Sequence, residues 1–449
     1  MISILLFFGS FISSFILSFR LAPIFAFVLY QLVYFFNPQN RWWGSSVPDL
    51  GYSFFSVAFM AVILLVNWPE AQKNKLMQVP SFRWLYFFVA IYSAVYTWSA
   101  FPSYHVDALI PLVKSAIIIS IAFKLCDSPK ALDYILYGYA AGAAYLGYYI
   151  YQVGRNSGDR VEGIGMVDSP DANGVAAALA PAAVVCLFYF WRNNLIKHKL
   201  PFVIAGAFIV NALVLVNSRG AMLSLAVGGT YFMWRLFFAP IQRKNQKLTV
   251  IMIAIAGLAS LIYVTDKSSI DRIYSISQES EVDESRETGA TRMVFWAAAW
   301  DMAKDHPLGL GRGGFEINAP LYIPRYINTG RSRNRAVHSS WFEALSESGY
   351  LGLLALIMVV LTSFFMTKKC KRVLNAPEHI EDYFKVICIE AMLVTFVVAM
   401  SFLNRMRAEI FVWCVLFVAC AYNIYYLRKL HLIADPTSKE FSHNAKQIL

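Results

Sequence analysis

The sequence predicts an all-α membrane protein, a bundle of about twelve or thirteen transmembrane helices with one large polar loop domain. Of the 449 residues, 58% are hydrophobic and only 15% are charged, which is more apolar surface than a water-soluble core can bury. Apolar runs of roughly 17 to 25 residues recur along the chain, each long enough to cross a hydrocarbon core of about 30 Å. Helices are predicted near 3–18, 21–37, 52–67, 83–101, 108–125, 132–152, 173–191, 202–217, 220–238, 249–265, 340–366, 384–403 and 407–427.

The helices and loops divide the chain into four parts. Residues 1–265 are predicted to form transmembrane helices with short loops, and 266–339 a large periplasmic loop with amphipathic helices. Residues 340–427 supply the C-terminal transmembrane helices, and 428–449 a cytoplasmic tail. The first 19 residues lack a basic start and a cleavage site, so we expect this segment to remain as a helix. The side of the amino terminus stays open, since residues 1–37 fit either two short crossings or one crossing plus an interfacial segment.

The net charge of +11 indicates the orientation of the chain rather than nucleic-acid binding. Much of it lies in short loops beside membrane helices, and the positive-inside rule places such loops in the cytoplasm. The long loop then falls on the opposite, periplasmic side. Its arginines do not contradict this orientation, because loops longer than about 60 residues cross largely regardless of charge. The presence of these arginines therefore needs another explanation. The predicted cytoplasmic segments are the loop around Lys73 and Lys75, the Arg192 to Lys199, Gln242 to Lys247 and Lys368 to Arg372 loops, and the tail after Arg428.

Several kinds of site are not expected from this sequence. The six cysteines lie in apolar segments or short basic loops, which argues against disulfides and a thiolate metal site. There is no phosphate-binding Gly-x-x-x-x-Gly-Lys-Ser/Thr loop and no His-Glu-x-x-His helix. The glycine-rich run at 309–314 follows no strand of a βαβ unit, so it is a weak dinucleotide signal. We predict no metal and no cofactor.

Arginines on the periplasmic side are the first candidates for chemistry, because a guanidinium matches phosphate oxygens. Arg219 lies in a polar break between two apolar helices, where it could also snorkel to lipid headgroups. Arg292 lies with Trp296 on a predicted amphipathic helix, where an interfacial anchor is the alternative. Arg155 and Arg160 add two cations on the same side. Together they favour an anionic, phosphorylated ligand.

His338 is the candidate general base. It stands at a predicted boundary between water and membrane, where an imidazole can be tuned near neutral pH. Glu343 and Glu347 follow on the same helix, and one of them could orient the imidazole or position that helix. His306 lies in a Pro- and Gly-containing turn and is interpreted as structural. His105, in another short outer loop, is a minor candidate.

Lys114 lies several residues inside an apolar helix. An unpaired ammonium is expensive there, so the side chain should face a partner or a wet cavity. A lipid phosphate and a carboxylate such as Glu390 are the two partners considered.

Three stretches in the second half of the chain resemble the bacterial O-antigen ligase family and its relatives, the O-antigen polymerases and the protein O-oligosaccharyltransferases. Their order and their common side of the membrane carry the resemblance. The stretches are Asn217-Ser218-Arg219-Gly220-Ala221, Arg292 through Trp296 to Pro307-Leu308-Gly309-Leu310-Gly311 and Phe315, and His338-Ser339-Ser340-Trp341 through Glu347-Ser348-Gly349 to Gly352-Leu353.

The resemblance implies a multi-pass enzyme of the bacterial inner membrane with a periplasmic active site. Such a ligase moves a glycan from undecaprenyl diphosphate to the lipid A core oligosaccharide in lipopolysaccharide biosynthesis, with inversion and without metal. It implies that Arg219 and Arg292 contact the diphosphate and that His338 acts on the acceptor hydroxyl. The predicted catalytic residues are His338, Arg219 and Arg292, and the predicted substrate-binding residues are Arg155, Arg160, Lys114 and Glu347.

Two departures from the family leave the acceptor open. The family often has Asn where this chain has Ser339, and the 36–43 loop resembles ligase-like proteins of exopolysaccharide-exporting bacteria. A growing glycan or a protein is therefore the alternative acceptor. A transporter of lipid-linked glycans is a less favoured second class, because internal repeats and broken midplane helices are not evident.

Overall fold

The computed structural model describes residues 2–169, 171–264, 289–327, 329 and 333–430. Within these ranges the chain is a helical bundle, which confirms the predicted fold class. Each of the thirteen predicted helix ranges contains a helix. The helices are α1 Ile2–Arg20, α2 Phe25–Phe36, α3 Tyr52–Val66, α4 Trp68–Ala71, α5 Pro80–Val95, α6 Pro102–Leu125, α7 Pro129–Val153, α8 Ala172–Arg192, α9 Ile196–Val216, α10 Arg219–Phe237, α11 Gln246–Val264, α12 Gly289–Asp305, α13 Gly314–Tyr322, α14 Ser340–Val373, α15 Ile380–Met400 and α16 Glu409–Tyr422.

Fewer helices than expected are long and apolar enough to cross a membrane. Among the described residues seven qualify, or up to eight if α3 and the segment that follows its 86° bend count as one span. The sequence alone suggested about twelve or thirteen crossings. Part of the difference is length: α2, α3 and α5 have 12, 15 and 16 residues, whereas a full crossing needs about 20.

Local sequence signals set where several helices begin. Proline occupies the first position of α5, α6 and α7, where its missing N–H is not needed. The Ser128 hydroxyl accepts the Ala131 N–H at 3.2 Å and so caps α7. The Asp171 carboxylate accepts the Gly174 N–H at 2.9 Å and caps α8.

The centre of the bundle is formed by α8, α15 and α16. Every residue of α16 from Ile410 to Tyr422 is buried, as expected for a helix that is apolar all round. By contrast, α1 and α9 expose most of their apolar surface, which suits helices that face lipid.

A break in α14 joins two parts of the chain that the sequence separates. Gly349 adopts φ 66° and ψ −168° inside the helix, a conformation open to glycine and strained for other residues. The Ser346 and Glu347 carbonyls accept the N–H groups of Leu310 and Gly311 at 3.0 and 2.9 Å. The Tyr350 N–H in turn donates to a carbonyl of the same turn at 3.1 Å. The turn at 307–311 therefore completes the hydrogen bonding of the broken helix.

The loops form two separate groups. Within each group, loops predicted on the same side of the membrane contact one another. In the basic group, Arg192 and Arg243 both bind Glu381, at 2.9 and 2.8 Å, and Arg428 binds Asn74 at 2.9 Å. We call this group the basic end. The group that contains the 307–311 turn, the start of α14 and the 401–408 loop is called the site end. Residues 266–288 of the predicted polar loop and 431–449 of the predicted tail lie outside the described residues.

Candidate active site at one end of the bundle

The 401–408 loop, which joins α15 to α16, fixes the start of α14. The Asn404 side-chain oxygen accepts the Ser339 N–H at 3.0 Å. The Ser340 hydroxyl donates to the Leu403 carbonyl and accepts the Arg405 N–H, both at 2.7 Å. These bonds hold the residues beside His338 in one position.

His338 lies directly before these anchored serines and is partly exposed. Its φ is +51°, an uncommon conformation for a residue with a side chain. The preceding carbonyl, of Val337, accepts the Trp296 ring N–H at 3.0 Å. Trp296 also stacks on Phe342, with ring centroids 5.5 Å apart and planes 13° apart. The backbone on both sides of the imidazole is therefore held.

The structure places the two predicted catalytic arginines at elements that meet here. Arg292 lies one helical turn before Trp296 on α12, and Arg219 is the first residue of α10. A Cβ added at Gly220 would stand 3.5 Å from the Phe402 Cβ, so the start of α10 abuts the 401–408 loop. Both arginines are partly exposed. His338, Arg219 and Arg292 thus belong to adjoining elements of the site end.

Arg405 ties the same loop to the start of α8. Its guanidinium pairs with Asp171 and donates to the Asp168 carbonyl at 3.0 Å. A Cβ at Gly174 would overlap this guanidinium, which therefore lies directly against the glycine backbone. The Asp168 carboxylate accepts the Tyr34 hydroxyl at 2.5 Å and the backbone N–H that begins α16 at 2.7 Å. The start of α8 is thereby locked to α2 and α16.

Arg160 lies beside this contact and Arg155 lies further out. Arg160 donates to the Asn173 side-chain oxygen at 3.2 Å and pairs with Glu162 at 3.5 Å. These three residues line a cavity of about 180 Å³ with Asp171. Arg155 is exposed in the same loop. The structure thus places both predicted substrate-binding arginines at the site end.

Glu347 belongs to a buried ionic network. Arg407 pairs with Glu347 and with Glu343, the latter at 2.6 Å, and both carboxylates are less than 10% exposed. The Tyr92 hydroxyl donates to Glu347 at 2.6 Å and accepts from Arg407 at 2.8 Å. Burial works against the charge of Arg407, but the two carboxylates outweigh it and raise the pKa of Arg407 above its ordinary value. These contacts tie the start of α14 to α5 and to the 401–408 loop, and the role of Glu347 in substrate binding stays a prediction.

Two expectations are corrected, one about the partner of Lys114 and one about the position of His105. Glu390 does not pair with Lys114, because it binds Lys371 and accepts the Tyr231 hydroxyl at 2.5 Å. Lys114 instead lies on the exposed side of α6. His105 is buried in the first turn of that helix rather than in a loop.

The contacts of His105 also define its tautomer. Its Nδ1 accepts the Arg312 N–H at 3.2 Å, so Nε2 carries the proton and donates to the Tyr92 carbonyl at 2.9 Å. His105 is therefore structural. His306, as interpreted from its sequence context, lies in a turn whose backbone carbonyl accepts the Gly309 N–H at 2.9 Å.

Sequence reasoning missed the 401–408 loop, which carries Asn404, Arg405 and Arg407. The available signal was two arginines in a very short loop assigned to the side poor in Lys and Arg, against the positive-inside rule. Within the described ranges, no group of three or more His, Cys, Asp or Glu is placed to hold a metal ion. Arg160, Arg405 and Arg407 are among the cations that the structure describes at the site end.

Comparison with known proteins supports one family. Residues 204–357 match the model described as O-antigen ligase, which confirms the resemblance found in the sequence. An uncharacterized protein of Haemophilus influenzae is 25% identical over 207 residues, covering 42% of this chain and 49% of that protein. The exopolysaccharide production protein ExoQ of Rhizobium meliloti is 26% identical over 300 residues, covering 64% of this chain and 65% of ExoQ. The chain thus spans about half of the first relative and just under two thirds of the second.

A solved chain from a peptidoglycan synthase complex is also similar at low level. The TM-score is 0.41 with 15% identity, over 76% of this chain and 97% of that chain. A similarity of this size does not define a shared fold.

Proposed function

We propose, from the match of residues 204–357 to the O-antigen ligase family, that the chain transfers a glycan from a lipid diphosphate to a hydroxyl acceptor. The donor is an undecaprenyl-diphosphate-linked glycan, and the acceptor is the lipid A core oligosaccharide. The site end faces the periplasm of the inner membrane. The family match and the two relatives support a multi-pass membrane enzyme of the O-antigen ligase or polymerase type.

The observation that carries the proposal is the restrained position of His338. The backbone of His338 adopts a left-handed conformation, which costs of order 1–3 kcal/mol. The backbone groups of both its neighbours, Val337 and Ser339, are hydrogen-bonded and hold it there. Strained residues of this kind cluster at active sites, where geometry must be prepared before the substrate arrives. Partial exposure leaves the ring accessible to an acceptor.

In the proposed reaction, His338 accepts the proton of the acceptor hydroxyl as its oxygen attacks the anomeric carbon. The new bond joins that oxygen to the anomeric carbon, and the bond from the same carbon to the diphosphate oxygen breaks. Attack from the opposite face inverts the configuration. A positioned general base of this kind contributes about 10²- to 10⁴-fold to the rate.

The leaving diphosphate carries the negative charge that the reaction must stabilise. Arg219 and Arg292 provide the compensating positive charge, as guanidinium groups form paired hydrogen bonds with phosphate oxygens. Arg155 and Arg160 extend the positive surface toward the loop before α8. Lys114 is assigned to the lipid-linked donor, since its side chain is exposed on a membrane helix.

The test is a reconstituted transfer assay. Purified protein, an undecaprenyl-diphosphate-linked glycan and lipopolysaccharide lacking O-antigen are combined without nucleotide or added metal. We expect transfer by the wild type and a loss of at least about 10²-fold in His338→Ala. His379→Ala, a histidine change at the basic end, is the matched control and should retain activity. Near-normal transfer by a folded His338→Ala protein would remove the assigned role.

A polymerase is the second candidate, favoured by the similarity to an exopolysaccharide production protein. The same assay separates it from the ligase. Chain growth of the lipid-linked glycan, without product on lipopolysaccharide, would assign the acceptor to the growing glycan. Transfer to peptide from the same donor would assign a protein acceptor.

A further inference from the structure

The helix α12 is apolar on the face that packs inward and also on part of its exposed face. Phe295, Ala299 and Met302 are buried in the small core that α12 shares with α13 and the start of α14. On the other side Met293 and Trp300 are 67% and 48% exposed, and Ala297 between them is exposed as well. We call Met293, Ala297 and Trp300 the outer face of α12. Apolar side chains exposed together on one helix face are typical of contact with a membrane or another partner.

The part of α14 that follows Gly349 indicates where the lipid-facing surface begins and ends. Leu351, Leu354, Leu361 and Phe365 recur at helical spacing and are each 47 to 54% exposed, as expected for a stripe against lipid. The stripe ends at the basic residues beginning with Lys368. The ammonium of Lys369 lies 4.6 Å from the centre of the Phe365 ring. This places the boundary with water at the basic end.

The other boundary follows from the helical rise. Tyr350 precedes Lys368 by 18 residues in the unbroken part of α14, a length of about 27 Å at roughly 1.5 Å per residue. That length is close to the hydrocarbon thickness of about 30 Å. Tyr350 therefore stands at the opposite membrane boundary, where Tyr and Trp are enriched.

Trp300 lies against Tyr350. The two rings are 6.2 Å apart and nearly perpendicular. Beyond it, the exposed Lys304 pairs with Asp301 at 2.6 Å, so charged groups adjoin the apolar face. The outer face of α12 is thus continuous with the lipid-facing stripe of α14.

We propose that the outer face of α12 is an interfacial membrane anchor, seated in the phospholipid leaflet at the site end. The anchor goes beyond the transfer reaction, because it sets the depth of the site relative to the bilayer. Trp296, on the same helix, donates a hydrogen bond to the carbonyl of Val337, directly before His338. An anchored α12 therefore holds His338 at the level of the lipid headgroups.

The test measures depth directly and does not depend on transfer activity. Nitroxide labels are attached to cysteines introduced at Met293, Ala297 and Trp300, with the protein in nanodiscs of phosphatidylethanolamine and phosphatidylglycerol. The six native cysteines are buried, which limits background labelling. Labels at Leu361, on the lipid stripe, and at Ser157, in an exposed loop, are the matched controls.

We expect collisions with oxygen to exceed those with a water-soluble nickel complex at all three positions, as at Leu361. The ratio should be several-fold higher than at Ser157. A ratio equal to that of Ser157 would overturn the anchor, as would spin–spin broadening between labels on two copies, which would assign the face to a dimer.

A second measurement uses the Met293 label in two backgrounds. Trp300→Phe keeps an apolar ring and should leave the oxygen-to-nickel ratio unchanged. Trp300→Asp places a charge at the boundary and should lower the ratio toward the value at Ser157. Equal ratios in the two variants would contradict the assigned role of Trp300, even if the transfer reaction proved to be a different one.

Discussion

Replacing Arg407 should destabilise the protein more than any change to an exposed arginine. Arg407→Met removes the only cation that pairs with Glu343 and Glu347 among the ion pairs of the described residues, and leaves two carboxylates that are 5% and 6% exposed. Breaking a buried pair by removing one partner lowers the free energy of unfolding by about 3–5 kcal/mol. The arginine side chain itself is only 17% exposed, so solvent screening reduces this figure little.

The assay is thermal unfolding of the purified variants in one detergent, with a matched control and a rescue. Arg372→Met removes an exposed arginine at the basic end and should change the free energy of unfolding by no more than about 0.5 kcal/mol. Adding Glu343→Gln and Glu347→Gln to Arg407→Met removes both unpaired charges and should recover most of the loss. If the triple variant is no more stable than Arg407→Met, the argument from uncompensated charge is refuted.

Three further outcomes are expected. Gly349→Ala should lower the unfolding free energy by at least about 1–3 kcal/mol, because an added Cβ would overlap the Pro307 carbonyl at a φ of +66°; a melting temperature equal to the wild type would contradict this. Arg292→Lys should lose most transfer if a two-pronged contact binds the diphosphate, whereas near-normal transfer would indicate only an interfacial role. A chelator should leave the transfer rate unchanged if arginines alone neutralise the diphosphate, and a loss restored by divalent metal would contradict that mechanism.

The helical elements could be read from the sequence because lipid imposes a strong pattern. Thirteen apolar runs became helices, since an unpaired backbone group in hydrocarbon costs several kcal/mol. The number of full crossings could not be read in the same way. A 12-residue helix such as Phe25–Phe36 is apolar apart from Gln31 yet short, and its burial by neighbouring helices is a tertiary property.

The arrangement of the candidate site could be predicted from the sequence only in part. Arg219, Arg292 and His338 stood out because each is polar at the edge of an apolar run, and their elements adjoin in the fold. Arg407 did not stand out, because its partners lie 60 and 64 residues earlier in the chain. The pairing of Lys114 with Glu390 was wrong for a related reason: residue type predicts that a charge needs a partner, but not which of several helices supplies it.

The break in α14 has a consequence for how the chain enters the bilayer. Two carbonyls of that helix obtain hydrogen bonds from residues 310 and 311, which precede the helix by about 30 residues. A membrane helix normally satisfies its own backbone before it meets its neighbours. This one does not, so the hydrogen bonding around its break is complete only after the 307–311 turn has folded back on it. Assembly of the site end therefore requires the segment before α14 to be in place before that helix reaches its final arrangement.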